Sequence, residues 1–266
     1  MIDVKIYKLF AFPALLLGIA LMIHSGHRLF ETEQIYQEGN AAYNDLSGRM
    51  KKPAAADGVS KAQTDEATPE NIETPRTENI YIPDFEIDFE ALRTINKDAA
   101  AWLYGPGTAI DYPVMKADDY SYYLEHLPDG TYNANGSLFI DYNSAPDFTG
   151  RLTVIYGHHM KSGKMFGSLK GYKNQAYYDE NPFMYLYTGN GSCRIDLIYG
   201  CVIGAGQWRE RAFMYEENIE SLLSYAALNT TFKSGADYGE SDRIVALSTC
   251  SYEFDGARYV VIGVLD

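Results

Sequence analysis

The alternation of apolar and polar positions divides the chain into three stretches of different character. Residues 9–23, LFAFPALLLGIALMI, carry no charge and follow Lys5 and Lys8. The run is shorter than the ~20 residues of a typical membrane span. Adding Ile6 and Tyr7, with Lys8 reaching back to the interface, brings it close. The pattern predicts a signal-anchor within residues 1–27, with a cytoplasmic N-terminus, because basic residues precede the span and few follow it. A cleaved signal peptide is the rival reading, but no A-x-A-like site follows Ile23. Residues 28–50 are polar with scattered apolar positions and read as a helical stem. Residues 51–79 hold three prolines and no aromatic residue. Such a composition cannot bury enough surface to fold, so 28–79 reads as stem and disordered tether.

The remainder, 80–266, reads as globular. Apolar residues from Phe89 to Trp102 recur at helical spacing and stop at a Gly-Pro-Gly break. Thereafter short apolar runs alternate with Gly, Asn and Asp clusters: SLFID (137–141), LTVIY (152–156), FMYLY (183–187), CRIDLIYGCVI (193–203), RIVALST (243–249) and YVVIGVL (259–265). One late helix interrupts them, with Ile219, Leu222, Leu223 and Ala226 at i, i+3, i+4 and i+7. These elements predict a mainly β, mostly antiparallel domain. Its expected form is a closed barrel with a helix at its start and another inserted before the last strands.

Charge and cysteine content narrow the function. A net charge of −14 argues against nucleic acid as a partner, since phosphate binding needs basic patches. Three cysteines, an odd number, make no disulfide framework. Cys193 and Cys201 fall in one extended segment, too far apart to bridge, and read as buried structural thiols. Cys250 is different, because it stands at the end of a strand. A thiolate is the nucleophilic form, and a free cysteine ionises only near ~8.5, so it needs a neighbouring base. His24 and His27 lie at the membrane junction, and His126 lies in a polar loop. In VIYGHHMKSGKMFGSL, however, an apolar strand ends at Gly157 and delivers His158 and His159. His158 lies 92 positions before Cys250, so spacing alone does not bring them together. If Thr249 ends one strand and Arg258 opens the next, the hairpin brings Arg258 close to Cys250. A guanidinium there favours a thiolate or an oxyanion. The plainer alternative is an arginine paired with Glu253 or Asp255.

LSTC followed by an arginine at the start of the next strand resembles the sortase signature, with Ala246 where that signature carries threonine. YGHHM followed by MFGSL resembles the histidine segment of class B sortases. INKDAAAWLYGPGTAIDYPVM, NGSLFIDYNSAPDF and the late helix extend the likeness over roughly residues 80–266. The resemblance implies a β-barrel cysteine transpeptidase outside a Gram-positive cell membrane, held by a single-pass anchor. It implies partners of two kinds: secreted proteins with a C-terminal sorting motif, and a cell-wall precursor amine or pilin lysine as acceptor. By position it makes Cys250 the nucleophile, His158 the acid/base and Arg258 the substrate and oxyanion ligand. Among the substrate-binding residues it gives Thr249 a part in the oxyanion site and places Ser248 and Tyr156 along the substrate groove. It gives His159 no catalytic role, with a side chain pointing elsewhere if the segment is extended, and calls for no cofactor or metal. A cysteine protease or hydrolase is the alternative enzyme. A papain-like protease puts cysteine before histidine, on a helix, and an L,D-transpeptidase has one compact SHG-type motif, which is absent here. A silent surface protein of the same fold is the non-enzymatic alternative, disfavoured because all three residues are present.

Overall fold

The computed structural model describes residues 4–54 and 83–265, with side chains from Leu17 onward. Helix α1, Val4–Met50, is continuous through the expected anchor and stem. Among the described residues no helix is long and apolar enough to cross a membrane. Most of the expected span, 9–23, lies outside the described side chains. The tether from residue 55 onward also lies outside the described residues.

The last four turns of α1 are not a free stem. Tyr43, Leu46 and Met50 are buried against the globular body. Tyr43 donates its hydroxyl to the Gly136 carbonyl at 2.5 Å, and Lys51 Nζ reaches Asp111 Oδ2 at 2.6 Å. Lys51–Pro53 (β1), whose composition reads as tether, instead pairs antiparallel with Phe85–Ile87 (β2). A two-stranded edge tolerates both proline and lysine, which is why composition conceals it.

The predicted helix from Phe89 to Trp102 is shorter than its periodicity suggests. Helix α2 covers Phe89–Ile95, opened by Asp88, whose carboxylate accepts from Ala91 N at 3.0 Å. Asn96 turns the backbone extended, and its side-chain amide is held by the Pro128 carbonyl at 2.8 Å. Ala99–Tyr104 then forms β3, between Asp111–Lys116 (β4) and Phe183–Thr188 (β7). A short apolar run buried on both faces does not reveal its state by periodicity, and the ladder partners decide it.

The remaining strands are Leu138–Ile140 (β5), Leu152–Tyr156 (β6), Gly191–Gly204 (β8), Arg243–Cys250 (β9) and Ala257–Leu265 (β10). The sheet closes in the order β10-β8-β7-β3-β4-β5-β6-β9, with β4/β5 and β6/β9 parallel and the other barrel pairs antiparallel. Short helices α3 (Gln175–Glu180) and α4 (Ala205–Glu210), not foreseen, flank β7 and β8. Helix α5, Ile219–Asn229, precedes β9 and buries the four residues that predicted it.

Successive side chains leave a strand on opposite faces. Val154, Tyr156, Ala246, Val260 and Ile262 pack in one apolar layer with Trp208 and Leu222 of the helices. Ile155, Val245, Leu247, Tyr259 and Val261 pack in another. Even-numbered positions on β6, β9 and β10 therefore share a face. Tyr156, Cys250 and Arg258 belong to it.

Candidate active site

The β9–β10 ladder sets Arg258 directly opposite Cys250. Directly opposed residues of an antiparallel pair project to the same side, with Cβ atoms about 5 Å apart. Cys250 is exposed. The Arg258 guanidinium carbon lies 5.8 Å from the Tyr156 ring centroid, over that ring. Arg258 Nε is buried with no hydrogen-bond partner among the described residues. The plainer pairing with Glu253 does not form, because Glu253 is taken by Lys173 and by the Ser251 hydroxyl. Lys173 Nζ also donates to Ser251 Oγ at 3.1 Å, and Ser251 N donates to the Ala257 carbonyl at 2.7 Å. The loop between nucleophile and arginine is thus closed at its base and clamped from outside. Arg258 is left available on the cysteine face.

The histidines arrive by the parallel pairing of β6 with β9, which sets Tyr156 beside Ser248. Gly157 N donates to Ser248 O at 3.3 Å, and Thr249 Oγ1 donates to the Gly157 carbonyl at 2.7 Å. β6 ends at Tyr156, and His158 follows two residues beyond it. Only glycine fits at 157, since a Cβ would lie 2.4 Å from Leu138 Cδ2 and 2.8 Å from Phe166 Cδ2. His158 Nε2 lies 2.6 Å from the Leu124 carbonyl. A carbonyl only accepts, so Nε2 carries a proton there, and Nδ1 has no hydrogen-bond partner among the described residues.

His159 does not follow the alternation of an extended segment, the condition for its side chain to point elsewhere. Its Nδ1 lies 2.7 Å from the Cys250 carbonyl, and its ring meets Tyr252 at 5.0 Å. The cause is the end of the extended run: His159 bridges to Met165, so alternation of side chains past Gly157 no longer applies.

The other expected substrate-binding residues differ in their surroundings. Thr249 is buried, and its hydroxyl donates to the Gly157 carbonyl. Ser248 is buried on the Cys250 face with its hydroxyl unpartnered among the described residues. Tyr156 lies beneath Arg258. Its phenol is held far above the usual range by burial and the nearby Asp141, and it donates to Asp141 Oδ2 at 2.8 Å. Burial pushes the Cys201 thiol up to about 12, as suits a structural thiol, and Cys193 is free and half-buried. Sequence reasoning missed Leu124, Asp141 and Lys173. The first acts through its backbone, which no side-chain pattern reveals. Asp141 stands in the quoted SLFID run but reads as a strand terminator.

No family model matches the chain. Sortase B of Listeria monocytogenes is 32% identical over 178 residues, spanning 65% of this chain and 72% of that protein. Sortase B of Staphylococcus aureus is 25% identical over 177 residues, with the same coverage. The crystal structure of Clostridium perfringens sortase B superposes with a TM-score of 0.62 at 28% identity, covering 67% of this chain and all of the other. A closed barrel that pairs a strand-end cysteine with an arginine, and shares that ancestry, places this chain in the sortase B family, as a cysteine transpeptidase.

Proposed function

We propose that the chain acts at a membrane surface, cleaving a sorting motif in secreted proteins and joining the acyl fragment to an amine. The carrying observation is the pairing of Cys250 with Arg258 on one barrel face, with His158 two residues beyond the end of β6, the strand that pairs with β9. In this reading the Cys250 thiolate attacks the scissile carbonyl, the C–S bond forms and the C–N bond breaks. The His158 imidazolium gives its Nδ1 proton to the leaving amine, while Nε2–H stays on the Leu124 carbonyl. Arg258 faces the oxyanion. An incoming amine then attacks the thioester, its proton passes to His158, and the thiolate leaves. Staphylococcus aureus sortase B, 25% identical, has been solved in complex with a substrate. A class B sortase of Streptococcus pyogenes, also 25% identical, is involved in pilus biogenesis. Wall anchoring and pilin joining are both transfers this chemistry performs.

The uncharged run at residues 9–23 supports anchoring, as do Leu17, Leu21, Met22 and Ile23, all exposed on α1. The folded unit is read as beginning near Ile35 rather than at residue 80, because α1 grips the barrel from there. The test incubates the full chain in detergent micelles with a sorting-motif peptide library and weighs the protein. An acyl adduct on Cys250 that resolves to an amide when an amine is added is the expected result. An adduct that resolves only to the free acid would make the chain a hydrolase instead.

A further inference from the structure

Asp141 directly follows β5 and is 0% exposed. A buried carboxylate costs several kcal/mol unless its oxygens are satisfied. Here Oδ1 accepts from Asn143 N at 2.9 Å and Asn143 Nδ2 at 2.8 Å. Oδ2 accepts from Tyr156 at 2.8 Å and Tyr120 at 3.0 Å. The Asn143 limb shapes the local turn. The Oδ2 limb leads elsewhere: Tyr156 touches both this carboxylate and the Arg258 guanidinium. Arg258 makes no ion pair among the described residues, its Nε is unpartnered there, and its guanidinium lies over the Tyr156 ring.

We propose that Asp141 is a positioning residue for Arg258, acting through Tyr156. A phenol that donates to a carboxylate gains electron density in its ring, and a denser ring face holds a guanidinium more firmly. The carboxylate also fixes the ring's plane, so the cation is aimed at Cys250 rather than free to swing into solvent. This inference rests on the reading of Arg258 as the cation beside the nucleophile.

The test needs no substrate. The full chain in micelles is alkylated with iodoacetate, an anion, and separately with iodoacetamide, which is neutral, and the rate at Cys250 is followed by peptide mass. A guanidinium beside the sulfur favours the anion, so the ratio of the two rates reports its position. Tyr156→Phe, which keeps the ring and total charge, is expected to lower the ratio about threefold. Asp141→Asn is expected to lower it too, although loss of a nearby negative charge by itself would raise it. Tyr120→Phe, which cuts the other Oδ2 limb, leaves it unmoved. In an Arg258→Gln background, Tyr156→Phe has no further effect. A merely structural role would slow or speed both reagents together. An unchanged ratio in Tyr156→Phe, or a raised one in Asp141→Asn, overturns the proposal. If Asp141→Asn fails to fold, Tyr156→Phe decides. If Arg258→Gln itself leaves the ratio unmoved, the reading of the site fails instead.

Discussion

The cysteine–arginine hairpin and the histidine segment reach the same end of the barrel by different means. The hairpin is a regular ladder: seven residues separate Cys250 from Arg258, and every pair from Arg258↔Cys250 to Leu265↔Arg243 is in register. The histidines stand beyond the end of β6, where strand alternation has stopped. His158 is held by one carbonyl of a distant turn and His159 by the Cys250 carbonyl. A ladder resists local change because its neighbours are paired, whereas a side chain held by one remote loop depends on whatever supports that loop. Here the support is traceable. Ser137 N holds the Tyr123 carbonyl at 2.7 Å, next to Leu124, and Tyr43 of α1 holds the Gly136 carbonyl.

The largest effect tests the hairpin. Cys250→Ala removes the thiol without touching the ladder, so adduct formation should vanish while the thermal melt stays within about 2 °C of the parent. Persistent turnover would refute the nucleophile. Next, the two histidines should separate. His158→Ala should cost a hundredfold or more, roughly what a general acid contributes. His159→Ala loses one hydrogen bond to a backbone carbonyl, about 1 kcal/mol, and should cost severalfold. The reverse ranking, in steady-state rates on the same peptide, would make His159 the acid/base.

How far this contrast was legible in the sequence follows from its physics. The hairpin could be read because apolar runs on both sides of LSTC leave one register that buries them. The rank of the two histidines came only from the resemblance, because the contacts that distinguish them lie beyond the strand end at Gly157, with His158 on the Leu124 carbonyl and His159 on the Cys250 carbonyl. The α1 brace left a trace in Tyr43, Leu46 and Met50, spaced i, i+3 and i+7, that polar neighbours obscured. Strand β3 was hidden because Ala99, Ala100 and Ala101 favour helix in isolation and only pairing with β4 and β7 overrides them.

Removing the brace comes third in size. A chain starting at residue 80 loses three buried side chains of α1, each worth about 1.5–3 kcal/mol by area, an upper bound. It should melt several degrees below a chain starting at residue 31. If support passes through Gly136 to Leu124, the turnover of the folded fraction should fall as well. Alkylation of Cys250, which depends on the hairpin, should hold. Equal losses in both readouts would show that the two regions are not held independently.

The smallest effect belongs to the clamp on the hairpin loop. Burial raises the Glu253 carboxyl, but the hydrogen bonds from Lys173 and Ser251 outweigh it, and the net result is a value below the usual glutamate range. A carboxyl lowered on folding adds stability above its unfolded pKa, about 4.3, and that contribution is lost as pH falls through the lower folded value. Glu253 and Lys173 are each about a third exposed, so solvent screening keeps the pair's worth near that of a surface bridge, ~1 kcal/mol or less. Glu253→Gln should therefore lower the melting temperature slightly at pH 7. The gap from the parent should close as pH falls below about 4.3, where the parent loses the same charge. A gap that persists at acid pH would mean that Glu253 contributes packing rather than charge, and that the hairpin relies on its ladder alone.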